Sequence, residues 1–191
     1  MDDPRWLEPF STQVEPDGSL TPERLIGEQW LSAIGGIFET TPDDADDQVV
    51  YRVYSMPVPE TGSELQTCTT VLEPGRVGRE YFMTKGHFHA QRDRSEVYLG
   101  LSGEGLLLLA TEAGEHRVVE MRQGTVAYVP GGWAHRSANT GDGPLIFFAA
   151  YVGDAGHDYG TVATQGFPIR AVEGPEGPRI VPNPSYRGPS T

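Results

Sequence analysis

The sequence predicts an all-β fold, a double-sheet jelly-roll barrel preceded by a short helical extension. Apolar residues come in short bursts of strand length, punctuated by 24 Gly and 16 Pro among 191 residues. A set of histidines falls where strands are expected, as a ligand-holding barrel would require. Eight segments read as strands: 49–56, 64–72, 80–89, 96–101, 105–111, 116–121, 125–130 and 145–152. Their spacing fits a jelly roll better than a Greek-key sandwich without a buried ligand, although periodicity alone leaves both open.

Outside the strands, Thr21-Pro22 reads as an N-cap followed by proline at the first helical position, with Leu25, Trp30 and Ile34 continuing a helix to about residue 33. Gly35-Gly36 stops it. The acidic run 42–47 should be an exposed loop. The segment after Val172 is too rich in Gly and Pro to be a core strand throughout. The organisation expected is an extension over 1–48, a barrel over 49–172 and a Pro/Gly-rich tail over 173–191. Trp6, Trp30 and Phe38 read as core or interface aromatics.

A formal charge of -13 argues against nucleic-acid partners, which require surplus Lys and Arg. No apolar stretch approaches the ~20 residues that span a bilayer. The single cysteine, Cys68, cannot close an intramolecular disulfide, so a cytoplasmic setting is expected. Thirteen of the fourteen basic residues are Arg, and the one Lys, Lys85, stands two positions before His87, where a compact ammonium has a use.

The chemistry lies in the histidines. Residues two apart on a strand share a face, so His87-x-His89 presents two imidazoles to one cation. A turn rich in Arg and Asp then lets Glu96 return a carboxylate to the same centre. From Gly124 through Pro130, Gly132 and His135 to Asn139, the chain reproduces the second cupin signature, G-x5-P-x-G-x2-H-x3-N, at every fixed position. Three imidazoles and a carboxylate suit Fe(II), Mn(II), Zn(II) or Ni(II), with positions left for substrate oxygens. The bland alternative makes His87 and His89 satisfied barrel histidines and Glu96 a surface carboxylate. The complete second motif weighs against it. His116 looks incidental.

One spacing departs from the general first cupin motif, because six residues rather than three or four separate His89 from Glu96. The run Thr84-Lys85-Gly86-His87-Phe88-His89, with Glu96-Val97-Tyr98 and Asp154-Ala155-Gly156-His157-Asp158-Tyr159-Gly160, resembles the cupin-type phosphoglucose isomerases over residues 49–167. The resemblance implies a homodimeric aldose–ketose isomerase acting on a sugar phosphate, with one divalent metal per chain and Fe(II) favoured. By the same resemblance His87, His89, Glu96 and His135 are metal ligands. Tyr51, Thr70, Thr84, the Gly86 amide and Tyr159 match phosphate-binding positions, while Tyr98, Tyr151 and His157 match the sugar end. Hydroxyl and backbone N–H donors are also what a phosphate needs. For the four tyrosines the alternative is a core residue with a satisfied hydroxyl.

Lys85 is expected to add positive field for the anion, and Gly132, where the family often has an aromatic, to open one pocket wall. Arg92 and Arg94 read as solvated turn residues. Glu96 is the expected base for proton transfer through a cis-enediol, unless a metal-assisted hydride shift makes a base unnecessary. Two rival functions are a cupin metal-dependent dioxygenase and a non-catalytic sugar-phosphate-binding cupin. The hydroxyl-rich set Thr70, Thr84 and Tyr159 argues against the first, and the intact ligand set against the second.

Overall fold

A computed structural model describes residues 7–43 and 47–188. After a small hairpin of β1 (Gln13–Val14) and β2 (Leu20–Thr21) come β3 (Leu25–Trp30), α1 (Leu31–Ile34) and a 3-10 turn over Gly35–Ile37. The central strands are β4 (Val49–Ser55), β5 (Leu65–Leu72), β6 (Arg76–Val77), β7 (Glu80–Tyr81), β8 (Glu96–Ser102) and β9 (Glu104–Thr111). Then follow β10 (His116–Arg122), β11 (Val126–Val129), β12 (Trp133–Asn139) and β13 (Leu145–Val152). The chain finishes with α2 (Tyr159–Gln165), β14 (Ile169–Gly174) and β15 (Gly177–Pro182).

All pairings are antiparallel. One sheet runs β11-β8-β13-β5-β4-β3, a second β10-β9-β12 and a third β15-β14-β7-β6. Side chains from all three meet in one core, with Leu72, Leu107, Met121, Leu145 and Ala171 at 0–1 % exposure. Strand alternation separates the faces of the six-stranded sheet. Glu96, Tyr98, Phe147 and Ala149 are buried on its inner side, while Val126 and Tyr128 are exposed on the outer side.

Two expectations are corrected. Residues 25–30, assigned to a helix by the Thr-Pro signal, form edge strand β3 paired with β4, and only Leu31–Ile34 are α-helical. Gly27 would weaken a helix interior by about 1 kcal/mol. The strand instead sets Glu28 opposite Arg52, whose Nε lies 3.0 Å from Glu28 Oε2. The segment 80–89 is a strand only at Glu80–Tyr81, after which single bridges Met83↔Ala138 and His87↔His135 tie it to β12.

Phe38 is buried in the core, Trp30 is largely exposed, and Trp6 lies outside the described residues, as does the centre of the acidic run at 44–46. The tail segment supplies β15, which pairs with β14 along its length. Among the described residues no helix is long and apolar enough to cross a membrane.

Beneath β14 lies a buried ion pair. Arg170 Nη1 donates to Glu80 Oε1 at 2.6 Å, and Arg170 Nε to Asn183 Oδ1 at 2.9 Å. The second Glu80 oxygen accepts from the Glu39 amide. The pair therefore joins the extension, β7 and the C-terminal hairpin. Glu80→Gln leaves Arg170 as an uncompensated buried cation and is expected to lower stability by about 3 kcal/mol in denaturant titration. A loss below about 1 kcal/mol, the size of a surface pair, would contradict this account of the joint.

Candidate metal centre and adjoining pocket

His87 and His89 stand on the extended segment bridged to β12, Glu96 opens β8, and His135 lies in β12. Their ligand atoms all fall within 4.8 Å of one another. His135 Nε2 is 3.1 Å from His87 Nε2 and 3.0 Å from Glu96 Oε2, and His89 Nε2 is 3.2 Å from the same carboxylate oxygen. Ligand atoms about 2.1 Å from a shared ion and at right angles to each other lie about 3.0 Å apart, so this spacing suits a single cation.

Tautomers agree with the spacing. His89 Nδ1 lies 2.9 Å from the Arg94 carbonyl and His135 Nδ1 3.3 Å from that of Trp133. With the Nδ1–H donated to a carbonyl, each Nε2 turns a lone pair inward, the usual support of a metal-bound imidazole. Burial alone would raise the Glu96 carboxyl, but His135 and His89 hold it down at about 2. Burial, with His135, His157 and His89 close by, puts His87 well below the ordinary histidine range, so it is neutral. Burial disfavours charge on His89 as well, yet Glu96 and the Arg94 carbonyl raise it overall.

A cavity of about 280 Å³ opens from these ligands. Tyr51, Thr70, Thr84, Lys85 and Gly86 line it, as do Tyr98, Tyr151, His157 and Tyr159. The fold thus gathers the expected metal ligands and substrate-binding residues around one space; of these His89 alone stands behind the wall, within the ligand cluster. The ring of His87 sits between His135 and His157, at 4.4 and 4.5 Å between centroids, and Tyr159 stacks on His157 with ring planes 9° apart. Tyr98 lies beside Glu96, and burial first, then that carboxylate, keeps its phenol protonated.

At the other wall burial above all pushes the Tyr51 phenol up, so its hydroxyl stays protonated and able to donate. The Ser137 N–H donates to Thr84 Oγ1 at 3.0 Å, leaving the Thr84 O–H free to donate.

The cavity also has walls that sequence reasoning missed. Gln29, Val53, Cys68 and Ser137 line it, and burial pushes the Cys68 thiol up to about 12. Period-two spacing from Thr70 could have found Cys68, and from His135 could have found Ser137. Gly132 is an exposed turn residue that does not itself line the cavity.

Arg92 and Arg94 are more than solvated turn residues. Arg94 forks onto Asp154 at 2.7 and 2.8 Å, and Arg92 bonds Asp158 and the His89 carbonyl. Asp158 in turn caps α2, accepting from the Thr161 amide at 3.1 Å. The long spacing between His89 and Glu96 therefore carries the two cations that fix the loop bearing His157.

An antiparallel jelly-roll barrel with three imidazoles and a carboxylate converging inside it is a cupin with a candidate metal centre. Comparison narrows the class. The model of the family described as glucose-6-phosphate isomerase (GPI) matches residues 31–179, and the chain belongs to that family. Glucose-6-phosphate isomerase of Thermococcus litoralis is 44 % identical over 190 residues, covering 96 % of this chain and 99 % of its own. That of Pyrococcus horikoshii is 52 % identical over 144 residues, covering 75 and 76 %. A bacterial relative, from Sinorhizobium medicae, is 41 % identical over 159 residues, covering 82 and 74 %. Among solved structures, oxalate decarboxylase from Bacillus subtilis overlaps 56 % of this chain and 26 % of its own, at a TM-score of 0.44 and 23 % identity.

The donor set predicts retention of about one divalent transition metal per chain after reloading with Fe(II), Mn(II) or Zn(II). Elemental analysis should find the metal lost in His135→Ala and kept in His116→Ala, since His116 is exposed and outside the cluster. Equal retention by both variants would contradict the site.

Proposed function

We propose that this chain interconverts D-glucose 6-phosphate and D-fructose 6-phosphate, with His87, His89, Glu96 and His135 holding one divalent metal, Fe(II) first and Mn(II), Zn(II) or Ni(II) as substitutes. The observation that carries the reading is the sharing of one cavity by a metal-ligand cluster and a wall of hydroxyl and amide donors. The names of the relatives support it. Exposed Leu65, Val126 and Tyr128 give the six-stranded sheet an apolar outer surface, which supports a homodimer, and a cytoplasmic setting follows from the substrate.

In this reading Thr70, Thr84, the Gly86 amide, Tyr51 and Tyr159 receive the phosphate, with Lys85 adding positive field. Tyr98, Tyr151 and His157 orient the sugar's hydroxyls. A divalent ion held by these four residues would supply Lewis acidity to the carbonyl end of the sugar, which would acidify the C2–H bond. Glu96, ionised and buried, takes the proton from C2 and returns it to C1. A carboxylate that also serves as a ligand is a weak base, so proton removal relies on that acidification. Tyr98, kept protonated beside Glu96, donates to the oxygen on which charge develops.

A coupled assay with fructose 6-phosphate on metal-analysed protein should show turnover. With glucose 6-phosphate deuterated at C2, part of the label should appear in water. A metal-loaded Glu96→Gln variant should lose ~10²–10⁴-fold in kcat with little change in KM. Complete transfer of label to C1, or near-wild-type turnover by the variant, would remove Glu96 from proton transfer and leave it as a ligand.

A further inference from the structure

One charged group beside the cavity has no part in this chemistry. Arg136 follows His135 in β12 and is 6 % exposed. Among the described residues no carboxylate lies within ion-pair distance of its guanidinium, and its one hydrogen-bond acceptor is the Lys85 carbonyl, reached by Nε–H at 3.1 Å and by Nη2–H. The guanidinium rests on the Phe167 ring, 5.0 Å from its centroid. Glu80 is the carboxylate nearest in influence, and Arg170 and the Glu39 amide already engage it. Glu80, Arg170 and Arg136 together leave one buried positive charge without a counter-ion. Such a charge is expensive unless an anion completes it.

The contact also sets a peptide plane. In a trans peptide the carbonyl and the following N–H point in opposite directions. With the Lys85 carbonyl drawn to Arg136, the Gly86 N–H is turned away from it, and among the described residues no acceptor takes that N–H. Gly86 holds φ +75, and a Cβ there would meet Arg136 Nε at 3.0 Å and the His135 carbonyl at 3.2 Å. The close approach of Arg136 to this turn therefore demands glycine.

We propose that Arg136 is the fixed positive charge of the phosphate end and the positioning residue that aims the Gly86 amide at the anion, without touching the sugar. The proposal rests on the sugar-phosphate reading given above. It assigns the buried field to Arg136 rather than to Lys85 alone.

The test compares inhibition by 5-phosphoarabinonate and by arabinonate in the metal-loaded enzyme. The wild type should prefer the phosphorylated inhibitor; equal inhibition would overturn the phosphate pocket itself, and this proposal with it. Given that preference, Arg136→Gln should weaken 5-phosphoarabinonate roughly tenfold or more, the scale of a lost charge-assisted contact, and arabinonate much less. Its metal content should hold, and KM for fructose 6-phosphate should rise more than kcat falls. Arg136→Lys, which keeps the charge, should recover most of the preference. A Gln variant with the wild-type preference, or one that loses both inhibitors equally, would overturn the proposal. If the Gln variant does not fold, titration of Zn(II)-loaded wild type with inorganic phosphate decides. The Arg136 Nε–H and Gly86 amide resonances should shift together to saturation, and unmoved resonances would overturn it.

Discussion

The site depends on the convergence of lone pairs. With the Nδ1 atoms of His89 and His135 set against backbone carbonyls, each Nε2 faces the same Glu96 oxygen, at 3.2 and 3.0 Å. Atoms so placed repel unless a proton or a cation lies among them. The barrel enforces the convergence from unrelated stretches of chain: β8 brings Glu96, β12 brings His135, and the bridge His87↔His135 brings the remaining pair.

Two groups of buried or partly buried charge hold the rest of the cavity around that point. On one side Arg92 and Arg94 bind Asp158 and Asp154, which keeps His157 and Tyr159 over the His87 ring. On the other, Arg136 grips the Lys85 carbonyl and the Ser137 N–H donates to Thr84 Oγ1, so the turn 84–86 is tied to β12. Neutral backbone and hydroxyl donors then line the space between, where they can meet a phosphate at little steric cost. Rigid placement by remote ion pairs is what differential stabilisation of a transition state requires.

The ligands were legible in the sequence because their signal is local. His87 and His89 share a strand face by spacing alone, and His135 sits in a motif whose glycines and proline specify a turn. Seven of the eight expected strand segments were legible for the same reason, through alternation; 80–89 was not, since only Glu80–Tyr81 form a strand there. Reading failed where a distant partner decides. Residues 25–30 carry a respectable helix start, yet pairing with β4 makes them a strand. Strand β12 was hidden because both its faces are buried and polar: His135, Ser137 and Asn139 lie on one side and Arg136 on the other, and polar residues indoors erase the apolar alternation that marks a strand. The roles of Arg92, Arg94 and Arg136 were illegible because each depends on a partner far along the chain or on burial that only the assembled sheets create.

The central claim is that one metal and one phosphate occupy opposite parts of a single cavity. Diffraction from a crystal of the Mn(II)-loaded protein with 5-phosphoarabinonate tests it most directly. The account predicts an anomalous peak bonded to His87, His89, Glu96 and His135, with the phosphate held by Thr84 and the Gly86 amide on the Arg136 side. An ion bound elsewhere, or a phosphate seated outside the 84–86 turn, would contradict it.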